Sequence, residues 1–133
     1  MNATRRGKQG TALLSLIALT AISAMICGTL LMRSFEAYHA SAMTEWRLQT
    51  RAAAEGAVVL LSADPSVRRS DGQIGACLIR YGEPQTSARE TRVPFDAEVE
   101  GKAERAVFAA RYVAHFRVSP TGAPEFDRLE RVQ

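Results

Sequence analysis

The chain has 133 residues and a net charge of +3, from 17 basic and 14 acidic side chains. That length allows one domain at most. Arg5, Arg6 and Lys8 all precede a long apolar run, with no acid among them; without these three, basic and acidic side chains balance. The basic excess is thus a property of the first ten residues, which excludes the clustered basic face that nucleic-acid binding requires. Two cysteines with no metal-type spacing exclude a disulfide framework or a zinc site of the usual kind.

Residues 1–10 form a short basic leader. Thr11 to Met32 then gives 22 residues without one charge. At about 1.5 Å per residue this helix is roughly 33 Å long, enough for a hydrocarbon layer of about 30 Å. The positive-inside rule places Arg5, Arg6 and Lys8 in the cytoplasm and the rest of the chain outside. Cys27 falls at membrane depth and Cys77 beyond it, so both read as plain apolar core residues and no internal disulfide is expected.

Three readings of the N-terminus compete. A secretory signal peptide has the basic start, and Ala40-Ser41-Ala42 offers a cleavage site, but its apolar stretch should be shorter and Arg33 and Glu36 intervene. An uncut single-pass anchor is the second. The third is a cut on the cytoplasmic side at Gly10, the glycine directly between the charges and the apolar run. A lipoprotein cut before Cys27 is disfavoured, because Met25-Ile26 are not small.

From Arg33 to Asp64 there is no proline and only one glycine, Gly56, and helix formers dominate. Phe35, Tyr38, Ala42 and Trp46 recur at helical spacing, continued by Ala53, Ala57 and Leu60 or Leu61. One amphipathic helix over 33–63 therefore extends the apolar one, and Asp64-Pro65 ends it.

The period then changes. Ile74 to Tyr81 reads as a strand after an Asp71-Gly72 turn. Val93, Phe95, Ala97 and Val99 alternate with polar residues or proline, and Phe108, Ala110, Tyr112, Ala114, Phe116 and Val118 with Arg111, His115 and Arg117. Gly101-Lys102 turns the chain between these two strands, and Ser119-Pro120-Thr121-Gly122 turns it again. Glu125 to Val132 reads as a polar edge strand. Strands joined by short turns imply an antiparallel sheet over 64–133. Its apolar face, Val93, Phe95, Val99, Phe108, Tyr112 and Phe116, needs a cover, for which Tyr38 to Leu61 is the candidate. The expected fold class is α+β: one long helix, apolar then amphipathic, on a small antiparallel sheet.

The order of basic leader, Gly10, unbroken apolar helix, amphipathic extension and sheet resembles type IV pilins and the pseudopilins of type II secretion. Arg5-Arg6-Gly7-Lys8-Gln9-Gly10-Thr11-Ala12-Leu13-Leu14 is most similar to K-type minor pseudopilins and PilX-type minor pilins. Ala52-Ala53-Ala54-Glu55-Gly56-Ala57 resembles the Ala-Ala-Glu-Ala segment of the same helix in those proteins. The resemblance covers about the first 60 residues. It implies a prepilin peptidase that cuts between Gly10 and Thr11 and methylates the new amino terminus. A glycine there leaves the backbone accessible. It further implies a bacterial inner-membrane protein with a periplasmic C-terminal domain. Its partners would be an inner-membrane assembly platform and other major and minor pilins or pseudopilins.

Two positions depart from the family pattern. Major pilins carry a glutamate where this chain has Ser15, fifth from the cut, and a phenylalanine where it has Thr11. A carboxylate at the fifth position is thought to pair with a neighbour's amino terminus, and a subunit at the filament tip has no such neighbour. Ser15 therefore implies a minor, tip-proximal role in filament packing. K-type pseudopilins are much larger, with an inserted domain that is missing here. The alternative is an uncut bitopic protein whose outer domain binds a partner.

Catalysis is not expected, nor is a cofactor or metal. His39, on the helix, and His115, on the polar face of a strand, read as solvated surface residues. Asp64 and Asp71 supply too few oxygens for a calcium loop and read as turn residues.

Overall fold

The computed structural model describes residues 3–101 and 106–132, with side chains from Gly10 onward. The side chains of Arg5, Arg6 and Lys8, and the turn residue Lys102, lie outside the described residues. The chain is an α+β protein. A single helix, α1 (Ala3–Leu61), is followed by six strands: β1 (Gly72–Ile74), β2 (Cys77–Tyr81), β3 (Gln85–Thr86), β4 (Glu90–Glu100), β5 (Ala106–Val118) and β6 (Pro124–Val132). It divides into two compact units, Met1–Ala42 and Met43–Gln133.

The helix starts earlier than expected, at Ala3 rather than Thr11, because nothing in the leader breaks it. It closes at Leu61. There the Arg69 guanidinium donates to the Leu60 carbonyl, placing a cation where the helix leaves acceptors without partners. Asp64 follows, and its carboxylate accepts from the Ser66 backbone N–H at 3.1 Å and from the Ser66 hydroxyl at 2.6 Å. Those two bonds hold the carboxyl below its usual range and fix the turn out of the helix.

In the Met43–Gln133 unit all the strands are antiparallel, in the order β1-β2-β4-β5-β6, with β3 pairing β4 beside β2. The helix covers one face. Its buried residues are Thr50, Ala53, Ala54, Ala57, Val58 and Leu61, the spacing of a single helix face. They pack against Cys77, Ile79, Val93, Phe95, Ala97, Val99, Ala110, Tyr112, Ala114 and Phe116. Alanines on both sides bring helix and sheet backbones close. At Gly56 a β-carbon would stand 3.1 Å from Ile74 Cγ2, which explains a glycine in mid-helix.

Three expectations about this packing are corrected. The residues that meet the sheet begin at Trp46, not Tyr38: Phe35 and Tyr38 are exposed, their rings set edge-on to His39. Leu61 is the buried member of its pair and Leu60 is exposed. Phe108 is only half-buried, beside Trp46 and beneath the Arg131 guanidinium.

The expected strand over Ile74 to Tyr81 is two strands. Ile74 pairs with Cys77 across a two-residue turn at Gly75-Ala76, where Gly75 has φ +61°, a conformation glycine adopts without penalty. Gly72, expected in a turn, is the first residue of β1. Pro94 sits inside β4, where a proline normally breaks pairing. Its carbonyl accepts from Gly82 N–H at 2.8 Å, at the gap between the end of β2 and β3. A strand residue's N and O point the same way, so the missing N–H faces that gap and not β5. The Ser119–Gly122 turn is as expected, closed by Gly122 N–H to the Ser119 carbonyl at 2.8 Å. β6 lies at the sheet edge, also as expected.

Candidate membrane anchor and surface sites

The helix over Gly10–Leu61 contains a stretch long and apolar enough to cross a bilayer. Leu13, Leu16, Leu19, Ile22, Ile26 and Leu30 are each more than half exposed, and none of them is among the buried core residues described. Three of its hydroxyls are nevertheless satisfied. Ser15 Oγ donates to the Thr11 carbonyl at 2.8 Å, Thr20 Oγ1 to Ile17 at 2.9 Å and Thr29 Oγ1 to Ile26 at 2.8 Å. A hydroxyl bonded back to its own helix carries little cost into hydrocarbon. Cys27 is exposed on this helix and belongs to no core, which corrects that reading. Cys77 is buried, and burial pushes its thiol pKa up, as for an inert core residue.

Gly10, Thr11 and Ser15 lie on the first turns of the same helix. Thr11 and Ser15 are joined by the bond just described. A β-carbon added at Gly10 meets nothing within 4 Å, so the fold itself makes no demand for glycine there. Glycines at 7 and 10 still weaken the helix locally, by about 1 kcal/mol each relative to alanine.

The outer face of the sheet carries a cluster that sequence periodicity does not reveal. His115, on the face away from the helix, is only 3% exposed. This corrects its reading as a surface residue. Its Nδ1 is 2.6 Å from Glu90 Oε1. Arg92 donates to Glu90 Oε2 from Nε at 3.1 Å and from a terminal nitrogen at 2.9 Å. Arg92 first, and His115 second, hold the Glu90 carboxyl down at about 2. His115 Nε2 lies 3.3 Å from a Glu130 carboxylate oxygen. The geometry there is not that of a hydrogen bond, and Nε2 is buried with no hydrogen-bond partner among the described residues. His39 is exposed, as expected.

Two further features belong to the Met43–Gln133 unit. A groove of about 790 Å³ runs along β6 and is lined by Arg47, Leu48, Arg51, Phe126, Leu129 and Arg131, among others. A shallower recess of about 380 Å³ lies by Arg69, Asp71 and Tyr81. Asp71 accepts from the Tyr81 backbone N–H at 3.2 Å, tying the residue before β1 to the end of β2; this corrects its reading as a turn residue, which holds for Asp64. Among the described residues, no group of three His, Cys, Asp or Glu side chains is placed to hold a metal. No protein family model, curated protein or solved structure matches the chain.

Proposed function

We propose that this chain is a minor pilin or pseudopilin, a structural subunit of a type IV pilus or a type II secretion pseudopilus that sits at or near the tip. The observation that supports this reading is α1: one uninterrupted helix whose first part is apolar and exposed and whose last turns pack on an antiparallel sheet. A subunit that moves from bilayer to filament needs both. The exposed apolar surface contacts lipid first and other helices later, and exchanging one apolar contact for another costs little. The sheet unit is built on the end of the same helix.

In this reading the N-terminus faces the cytoplasm and the sheet unit the periplasm. The prepilin peptidase removes residues 1–10 and methylates Thr11. The inner-membrane assembly platform and neighbouring major and minor subunits are the partners. Ser15 offers a hydroxyl that is bonded to the Thr11 carbonyl, and no charge for a neighbour's amino terminus, which suits a subunit with nothing above it. The chain performs no catalytic step and binds no cofactor.

The test is the mass of the N-terminal peptide from membranes of cells with an active prepilin peptidase. The mature chain should begin at Thr11, and the Gly10→Leu chain should keep its leader. Because a side chain at Gly10 meets open space in the fold, loss of cutting in that variant reports on the peptidase and not on misfolding. An intact leader on the wild-type chain would overturn the reading in favour of an uncut anchor.

A further inference from the structure

We infer that the groove along β6 is a docking site for an extended, acidic and apolar segment of another protein, which adds to the sheet as a further strand. Three observations converge on it. First, β6 is the long open edge: nine residues with a neighbour only in β5, whereas the opposite edge, β1, has three. Pro124 is its first residue, so its missing N–H falls at the strand's end, and the alternate later residues whose N–H and C=O turn away from β5 stay open to a new partner.

Second, the groove beside that edge is apolar-walled and open. Leu48 and Phe126 are 64% and 42% exposed, and Leu129 and Val58 form its floor. An added strand turns alternate side chains toward this groove, where apolar ones find a surface already desolvated on one side.

Third, the charge is one-sided. Arg47, Arg51 and Arg131 line the groove with a single acid, Glu55. Glu55 is paired with Arg51 at 3.3 Å, and Arg131 lies over the Phe108 ring. Arg47 has no acidic partner among the described residues. Arg47 is the guanidinium left to meet a carboxylate of the occupant, and the groove's excess of arginine over acid favours an acidic one. The charges and the bulge of β6 itself, at Asp127, discourage a plain apolar strand, as edges usually do. They therefore select for charge as well as for strand.

The inference uses only the Met43–Gln133 unit and does not depend on leader cleavage. It is tested on the full chain in nanodiscs of neutral phosphatidylcholine, by fluorescence anisotropy. The probe is a labelled, end-blocked peptide as long as β6, with glutamate and valine alternating on one face and threonine on the other. A matched probe carries lysine for glutamate, and a third is N-methylated on the amides of one edge. The glutamate probe should bind, at least about tenfold tighter than either control, and weaken as salt is raised. Arg47→Glu should weaken it by about tenfold with unchanged circular dichroism and melting temperature, and Arg47→Ala by less. The Gly10→Leu chain should bind it equally.

Several results would overturn the proposal: no binding of the glutamate probe, equal binding of the lysine probe, or equal binding of the N-methylated one. A particle mass showing two copies that bury the groove between them would assign it to self-association and overturn it too.

Discussion

Leu19 and Leu61 are the same side chain on the same helix, one 63% exposed and the other fully buried. The difference between their surroundings lies in pattern, not in hydrophobicity. Around Leu19 the apolar residues encircle the helix, so no single face is reserved for the sheet. Around Leu61 they recur at positions three and four apart, with Arg51, Glu55 and other charges elsewhere, so one face is reserved for the sheet. A stretch that is apolar all round is addressed to lipid or to other helices, and one that is apolar on a single stripe is addressed to its own chain.

Two substitutions should separate the two regions cleanly. The larger effect is expected from Phe95→Ala, at a fully enclosed ring stacked on Tyr112 with centroids 5.8 Å apart. Removing it should cost the sheet unit about 3–5 kcal/mol, most of what a domain of this size holds. Denaturant unfolding followed by near-UV circular dichroism should show the loss, with membrane retention unchanged. Phe108 is the weaker choice, being only half-buried.

The reciprocal change is Ile22→Arg, at a side chain 57% exposed in the middle of the apolar run. It should raise the apparent cost of membrane insertion by about 2.5–3.5 kcal/mol, read as a fall in the carbonate-resistant membrane fraction. The unfolding midpoint of the sheet unit should not move. A shift in that midpoint, or full membrane retention, would mean that the first part of α1 is packed on protein and the comparison is wrong.

Much of this fold is legible in the sequence, for identifiable reasons. Helix and strand periods differ, so the change from the Ala53-Ala57-Leu61 pattern to the alternation in β4 and β5 marks the boundary between classes. Short-range signals also served: Pro120 and Gly122 gave the last turn. What the sequence hides is which residues lie opposite one another. His115 alternates outward and so reads as exposed. Register places it across from Arg92 and Arg128, and the side chains of Glu90 and Glu130 close over it. Similarly, Pro94 argues against a central strand until the break between β2 and β3 is known. The groove along β6 joins residues some eighty positions apart. Gly10, Thr11 and Ser15 are the reverse case: their significance is carried by local order along the chain, and the fold adds only that nothing crowds them.

The smallest effect expected is one of pH, and it belongs to the outer face of the sheet. Glu90 binds Arg92 through two hydrogen bonds and His115 through a third, and its carboxyl is lowered from an ordinary 4.5 to about 2. A carboxyl depressed in the folded state stabilises the fold above its unfolded value. That contribution is lost as protons bind the unfolded chain first, while pH falls from about 4.5 toward 2. The Glu90→Gln chain has no such group and should lack that part of the acid response. Urea midpoints measured from pH 7 down to pH 2 should therefore fall more steeply for the wild-type chain than for Glu90→Gln, with the difference in slope confined to that acid window. The two chains should converge at its lower end. Because the cluster is on the outer face, the sheet core should hold in both, and the change should be graded rather than a collapse. Parallel curves would mean that Arg92 and His115 hold Glu90 no better than water does.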